Sequence, residues 1–246
     1  MELTWHGHST WWITVKNTTL LVDPNFSNQF TSVDPRELPS ADFVLLTHGH
    51  MDHLEDVPHF TDSTIVATPE VSKFVADELG ASNAVFDFGM NIGASIELGD
   101  AFVSMHESAH TNEIGTDYGD RSYRRGGGPP VGYTVSDSPV GDRQGDSSST
   151  FYHAGDTALT VGMRDIIGEL YEPDAAALPI GGSFTMGPME ASVAVDWLDV
   201  DHAFPMHYNT APPIHQDPSE FVQQVGDRSD SASVRVLSVD ETFALS

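Results

Sequence analysis

Thr47-His48-Gly49-His50-Met51-Asp52-His53 follows directly on the apolar run Asp42-Phe43-Val44-Leu45-Leu46. The run has the length and bounded apolar character of a buried strand. Alternate histidines leaving a strand end, His48 and His50, can converge on one cation. Asp52 and His53 come where the chain turns into a helix and can face a neighbouring cation. Imidazole nitrogen and carboxylate oxygen suit zinc, iron or manganese. The 246 residues include no cysteine, which excludes thiolate ligands, iron–sulfur clusters, disulfides and a cysteine nucleophile.

Outward from this cluster, strands and helices alternate without a repeat or a linker. Residues 10–15 and 19–22 read as a hairpin around Lys16-Asn17-Thr18, apolar and β-branched on both sides. Residues 69–79 read as a helix, with Pro69 in the first turn, Val71, Phe74, Val75 and Leu79 at helical spacing, and Gly80 as the stop. Strands are predicted at 101–103, 131–135, 151–153, 175–180 and 234–239, and helices at 188–198 and 217–225, the last capped by Asp217 before Pro218. Two long polar stretches, 111–130 and 136–150, exceed ordinary connections. This order predicts one domain over 1–246 built from two face-to-face sheets with helices outside.

Charge narrows the setting. The chain carries 24 Asp and 13 Glu against 8 Arg and 2 Lys, a formal charge of −27. A shell of short carboxylates almost without lysine repels itself at low salt and is screened in molar salt, where the Debye length falls to about 3 Å. The composition therefore predicts a halophilic protein. The start, Met1-Glu2-Leu3-Thr4-Trp5-His6, has neither the basic segment nor the apolar core of a secretory signal, and no apolar run approaches the ~20 residues that span a bilayer. A cytoplasmic protein without a membrane partner is expected.

The His48–His53 cluster resembles the H-x-H-x-D-H signature of the metallo-β-lactamase superfamily, in particular the small metal-dependent hydrolases related to L-ascorbate 6-phosphate lactonase. Gly7-His8-Ser9-Thr10-Trp11-Trp12-Ile13 is similar to that branch's opening strand, and Leu21-Val22-Asp23-Pro24 to its L-x-D-P element. Val103-Ser104-Met105-His106-Glu107-Ser108-Ala109-His110 matches the segment of the third metal histidine at His110. Tyr152-His153-Ala154-Gly155-Asp156-Thr157 matches the bridging-aspartate element, residues 179–187 match a P-I-G-G-x-F-T-M-G segment, and Pro205-Met206-His207-Tyr208-Asn209-Thr210 carries the last metal histidine. His106 departs from the family's pattern and leaves open which of His106 and His110 ligates.

The resemblance implies an α/β (α+β) fold, a four-layer αββα sandwich of two mixed sheets with outer helices. It also implies two divalent ions, zinc foremost with manganese or iron as alternatives. His48, His50 and His110 would hold one, Asp52, His53 and His207 the other, and Asp156 would bridge them. A water shared by two such cations loses its proton near neutrality and can attack an ester, lactone or phosphoryl centre, with Asp52 orienting it. His8 is placed near the pocket as a catalytic or supporting group, whereas His153, His6, His59, His202 and His215 read as structural or surface residues. Three of the ten basic residues, Arg121, Arg124 and Arg125, fall within five positions beside Gly126-Gly127-Gly128. They form either a charge-balanced surface loop or a clamp, with Arg124 and Arg125 gripping an anionic substrate bidentately.

The predicted activity is hydrolysis of a small molecule, anionic if the clamp operates, in a protein that leaves room for a homo-oligomer. A nuclease of the tRNA-processing type shares the signature, but −27 disfavours a nucleic-acid partner. A non-catalytic metal scaffold is disfavoured because all seven ligand positions are filled.

Overall fold

In the computed structural model, residues 1–114, 125–141 and 148–246 are described. Six strands form the first sheet, in the order β15 (Glu241–Ala244), β1 (Glu2–Trp5), β2 (Trp11–Val15), β3 (Thr18–Val22), β4 (Phe43–Leu45) and β5 (Thr64–Val66). Seven form the second: β14 (Ser233–Val234), β13 (His202–Met206), β12 (Ala175–Pro179), β11 (Thr150–His153), β10 (Val131–Ser136), β7 (Ala101–Glu107) and β6 (Ser95–Leu98). β8 (Glu113–Ile114) and β9 (Arg125–Gly126) pair separately. Each large sheet is mixed: β3–β4–β5 and β11–β12–β13–β14 run parallel, the remaining neighbours antiparallel.

Side-chain alternation explains why the central strands are apolar throughout. Leu20, Val22, Leu45 and Val66 point into the core between the sheets, against Val103, Met105, Tyr133 and Phe151. Their neighbours Leu21, Val44, Leu46 and Ile65 point outward, against Val71, Phe74 and Val75 of α2 (Pro69–Glu78), the helix that follows the single turn α1 (Met51–Leu54). A strand buried on both faces has no polar side to show. α3 (Pro188–Leu198), α4 (Pro218–Gly226) and a helix at Met163–Tyr171 cover the second sheet. The layers are therefore helix, sheet, sheet, helix, and no described helix is long and apolar enough to cross a membrane.

Two predicted elements change. The strand expected over 234–239 is only Ser233–Val234. The backbone N–H of Arg235 still donates to Ala203 O, after which the chain leaves this sheet and joins the other as β15, with Leu237 buried between. The stretch 111–130 is not plain loop either, since it contributes β8 and β9. The Met163–Tyr171 helix escaped the sequence reading because it is wound wide, closing with Glu172 N–H donating five residues back to Ile167 O. Its burial is limited to Met163 and Ile167, too few points for a 3.6-residue period.

Candidate metal centre

The carboxyl ends of the parallel strands supply most of the centre: Asp23 after β3, residues 47–53 after β4, Asp156 after β11 and His207 after β13. Asp23 is fully buried with a left-handed φ of +46° and anchors the rest. It accepts from the Thr47 backbone N–H (2.8 Å), the Thr47 hydroxyl (2.6 Å) and His53 Nδ1 (2.7 Å). With its proton given to Asp23, the Thr47 oxygen accepts from His48 Nδ1 at 2.9 Å. One carboxylate thereby fixes two imidazoles with their Nε2 atoms turned inward. Beneath them the buried Tyr133 hydroxyl lies within hydrogen-bond reach of Leu46 O and Val66 O, tying the second sheet to the end of β4.

Asn112 holds the His48–His50 turn from outside. Its Oδ1 accepts from Gly49 N–H at 2.7 Å while its Nδ2 donates to Gly127 O at 2.8 Å. His110 is set beside Asp156 by three bonds between their loops: Ser108 Oγ to Ala154 O, Ala109 N–H to Thr157 Oγ1, and Ala158 N–H to Ala109 O. Gly155, at φ +62°, makes the turn before Asp156 where a Cβ would strike the Val131 carbonyl and Thr47.

The ligand-type atoms converge in three overlapping groups, each with its atoms within 4.8 Å of one another: His48, His50 and His110; His48, His53 and Asp156; and His8, Asp52, His53 and His207. Asp156 is central. Its oxygens lie 3.0 Å from His207 Nε2, 3.5 Å from His53 Nε2 and 3.6 Å from His110 Nε2. His8 donates Nε2–H to Asp52 Oδ2 at 3.2 Å and accepts the Thr210 hydroxyl on Nδ1 at 2.7 Å. Left-handed φ values at His8 (+51°), His207 (+54°) and Asn209 (+61°) mark backbone bent to fit this rim.

The donor set suits divalent cations. His53 Nε2, His207 Nε2, Asp52 Oδ1 and Asp156 Oδ1 are buried without a hydrogen-bond partner, so lone pairs accumulate in one small volume. Burial drives the His8 and His50 pKa values down to about 4 and pushes His48 and His110 down too, leaving neutral imidazoles. Burial works against the Asp52 and Asp156 charges, but it is outweighed at Asp52 by His53 and His8 and at Asp156 by His207 and His53, and both carboxyls fall below their usual range. Burial likewise opposes charge on His53, but Asp156 and Asp23 on either side lift it well above an ordinary histidine. The pocket between those carboxylates calls for positive charge.

His106 stands apart. It is buried on β7, bonded through Nε2 to Thr134 Oγ1 at 2.9 Å and packed edge-on against Tyr171, so the structure brings His110, not His106, to the cluster. His153 is tied to Ser9 O and Gly155 N–H, and His6 to Asp240. Arg124, like Arg121, lies outside the described residues. Arg125 sits on β9 opposite Ile114 and is absent from the described wall of the cavity over the cluster. Asn112 carried no signal in the sequence, and Thr210 lay inside the last-histidine segment without a role assigned to it. Asp23 and Thr47 did lie inside recognised motifs, but their supporting role needed the geometry.

A family model described as a beta-lactamase superfamily domain matches residues 2–207. A UPF0173 metal-dependent hydrolase of Haloarcula marismortui is 54% identical over 245 residues, covering 100% of both chains. Another, of Methanopyrus kandleri, is 38% identical and covers 99% of each. Among solved structures, Igni18, a metallo hydrolase of Ignicoccus hospitalis, is 30% identical with a TM-score of 0.80, covering 100% of this chain and 99% of its own. The metallo-beta-lactamase fold protein YhfI of Bacillus subtilis gives a TM-score of 0.70 at 11% identity over 98% of each chain, a likeness of fold.

Proposed function

This chain belongs to the beta-lactamase superfamily domain family and, within it, to the UPF0173 metal-dependent hydrolases, and from that membership we propose that it hydrolyses a small ester, lactone or phosphoester at a centre for two divalent ions. His48, His50 and His110 would hold one ion, and Asp52, His53 and His207 the other, with Asp156 reaching both. Zinc fits the nitrogen-rich donors best, with manganese or iron as alternatives. Ions held there supply acidification of water and polarisation of the scissile oxygen. The observation that carries the reading is the set of orphaned, buried donor atoms converging on Asp156.

The chain's own groups have definite tasks. Asp52 Oδ1 is free of other partners and is the acceptor for a proton leaving water, while His8 holds the opposite oxygen of the same carboxylate. Thr210 keeps the His8 proton on Nε2, facing Asp52. Hydrolysis of a lactone then breaks the ring acyl C–O bond, adds the water oxygen to the acyl carbon, and returns a proton to the departing alkoxide. No Ser or Cys nucleophile is required.

Elemental analysis of protein refolded or refilled with zinc or manganese is expected to give about two ions per chain. Chelation should abolish turnover of lactone or phosphodiester probes, and Asp156→Ala should lose both an ion and most activity while keeping its circular dichroism. One ion or none in the refilled protein, or full turnover in the variant, would remove the dinuclear reading.

A further inference from the structure

His8 is built into the centre in the same way as the imidazoles assigned to the ions. His48 and His53 each have Nδ1 held by a neighbour, Thr47 or Asp23, and Nε2 turned inward. His8 has Nδ1 held by the Thr210 hydroxyl at 2.7 Å and Nε2 turned to Asp52 Oδ2. Its backbone is fixed as firmly. Gly7 at φ +88° and His8 at φ +51° lie in a turn closed by Thr10 N–H donating to Gly7 O. The His8 carbonyl accepts from both the Trp5 indole N–H and the His207 backbone N–H, each at 3.1 Å. His8 and His207, both left-handed and at the ends of different sheets, thereby face each other with ring centroids 4.1 Å apart. Such backbone strain in a non-glycine residue persists only where the surroundings impose it.

Placement separates a ligand from a prop. Asp23 and Thr47 stand behind the rings they hold, at the Nδ1 atoms. His8 stands in front: a ring nitrogen of His8, an oxygen of Asp52 and a ring nitrogen of each of His53 and His207 all lie within 4.8 Å of one another. Nitrogen and oxygen ligands set tetrahedrally around zinc, at bonds of about 2.0–2.2 Å, are about 3.4 Å apart. His8 Nε2 lies 3.2 Å from Asp52 Oδ2, and His207 Nε2 lies 3.9 Å from the same oxygen. That is the spacing of groups sharing one ion.

We propose that His8 is a further metal ligand, binding through Nε2 the ion assigned to Asp52, His53 and His207. This rests on the two-ion reading of the centre and adds a residue to its second position. One nitrogen cannot hold a proton and an ion together, so the His8–Asp52 hydrogen bond belongs to the protein without that ion. In the loaded protein the His8 proton sits on Nδ1 and is donated to the Thr210 oxygen, which needs only a turn of the hydroxyl. The second ion then has four residue ligands besides Asp156 and the first ion three. The first therefore keeps the more open position for water and substrate.

Nitrogen-15 NMR of the imidazoles in molar KCl tests this, with the His8 resonances assigned by their displacement in Thr210→Val. Chelator-stripped protein should carry the His8 proton on Nε2, and zinc-loaded protein should carry it on Nδ1. His8→Gln keeps an N–H for Asp52 but offers no imidazole to an ion. Competition against a chromophoric chelator should show one zinc bound more than about 100-fold more weakly in that variant, beyond the range for loss of a supporting partner, with circular dichroism unchanged. Thr210→Val, which removes only the outer hold, should stay within about 10–100-fold. A proton on His8 Nε2 in the zinc-loaded protein, or a loss in His8→Gln no greater than in Thr210→Val, would overturn the inference. If His8→Gln fails to fold, the NMR result on the wild type decides alone. If the wild type takes up a single ion, the dinuclear reading is lost, and the same nitrogen still decides whether His8 binds that ion. Uptake of no ion overturns both.

Discussion

Single residues decide whether this centre has donors in the right state. The histidines and aspartates that converge are those the sequence motif singles out, because a metal-site motif is a local record of side-chain type and spacing. What the motif does not record is who holds the ligands. Asp23 is one letter in an L-x-D-P element, yet its two oxygens fix His53 directly and His48 through the Thr47 hydroxyl. Choosing between His106 and His110 was likewise beyond spacing, because β7 buries His106 on its outer face against Tyr171 and only the following turn swings His110 to Asp156. Asp23→Asn removes the charge and leaves only one acceptor oxygen for three donors. Losing a carboxylate that holds the ligand imidazoles in place costs about 10–100-fold in metal affinity. Zinc competition against a chromophoric chelator should show that drop, with the thermal midpoint measured alongside to separate it from misfolding. An unchanged zinc affinity would mean that Asp23 serves the fold and not the ions.

At the scale of elements, the buried strands were legible where both faces are apolar, as in β4, and the capped helices where proline opens them, as in α2 and α4. One margin of the first sheet was not: the edge strand β15 and its neighbour β1 pair with each other through Glu2, Thr4, Glu241 and Thr242, whose polar side chains resemble loop. Their pairing joins the two ends of the chain, and no local window contains it. The β7–β10 pair, covered by the Met163–Tyr171 helix, carries a pH-dependent cost that also reads out at this scale. Burial lowers His106 from 6.5 to about 4, so between those values the unfolded chain takes up a proton that the folded chain refuses. The folded state is therefore undiminished by His106 above pH 6.5 and loses stability as pH falls toward 4, by up to about 3 kcal/mol. Chemical unfolding of wild type and His106→Gln at pH 7.5 and 5 should show the variant losing about 2 kcal/mol less over that interval. Parallel losses would show that His106 is protonated within the fold at no cost.

For the whole molecule, charge is the dominant variable. The two cores between and outside the sheets are as apolar as any ordinary domain's, with Leu3, Trp11, Ile13, Leu45, Tyr133 and Phe151 fully buried, so nothing in the interior makes the chain unusual. The surface does, with 37 acidic residues against 10 basic ones. The basic residues do little to relieve this: Arg36, Lys73 and Arg164 each pair with one nearby aspartate in exposed sites, where water and salt screen such pairs and they add little to stability. The remaining carboxylates repel one another over a Debye length of about 10 Å at 0.1 M salt, a distance that spans several neighbours, and of about 3 Å at 1 M, which spans fewer than one. Folding gathers this charge and unfolding disperses it, so screening must favour the folded chain. A gain of several kcal/mol in a chain of this size corresponds to a rise in melting temperature on the order of 10 °C between 0.1 and 2 M KCl. Because the mechanism is screening, NaCl and KCl should act alike at equal ionic strength, and sucrose should not reproduce the rise at low salt. Replacing exposed carboxylates distant from the metal centre, such as Asp62, Asp87 and Glu97, by Asn or Gln should flatten the salt dependence by raising stability at its low-salt end. A midpoint indifferent to KCl, or charge-neutralised variants that lose stability at low salt, would show that the acidic shell is tolerated by this fold without being coupled to its stability.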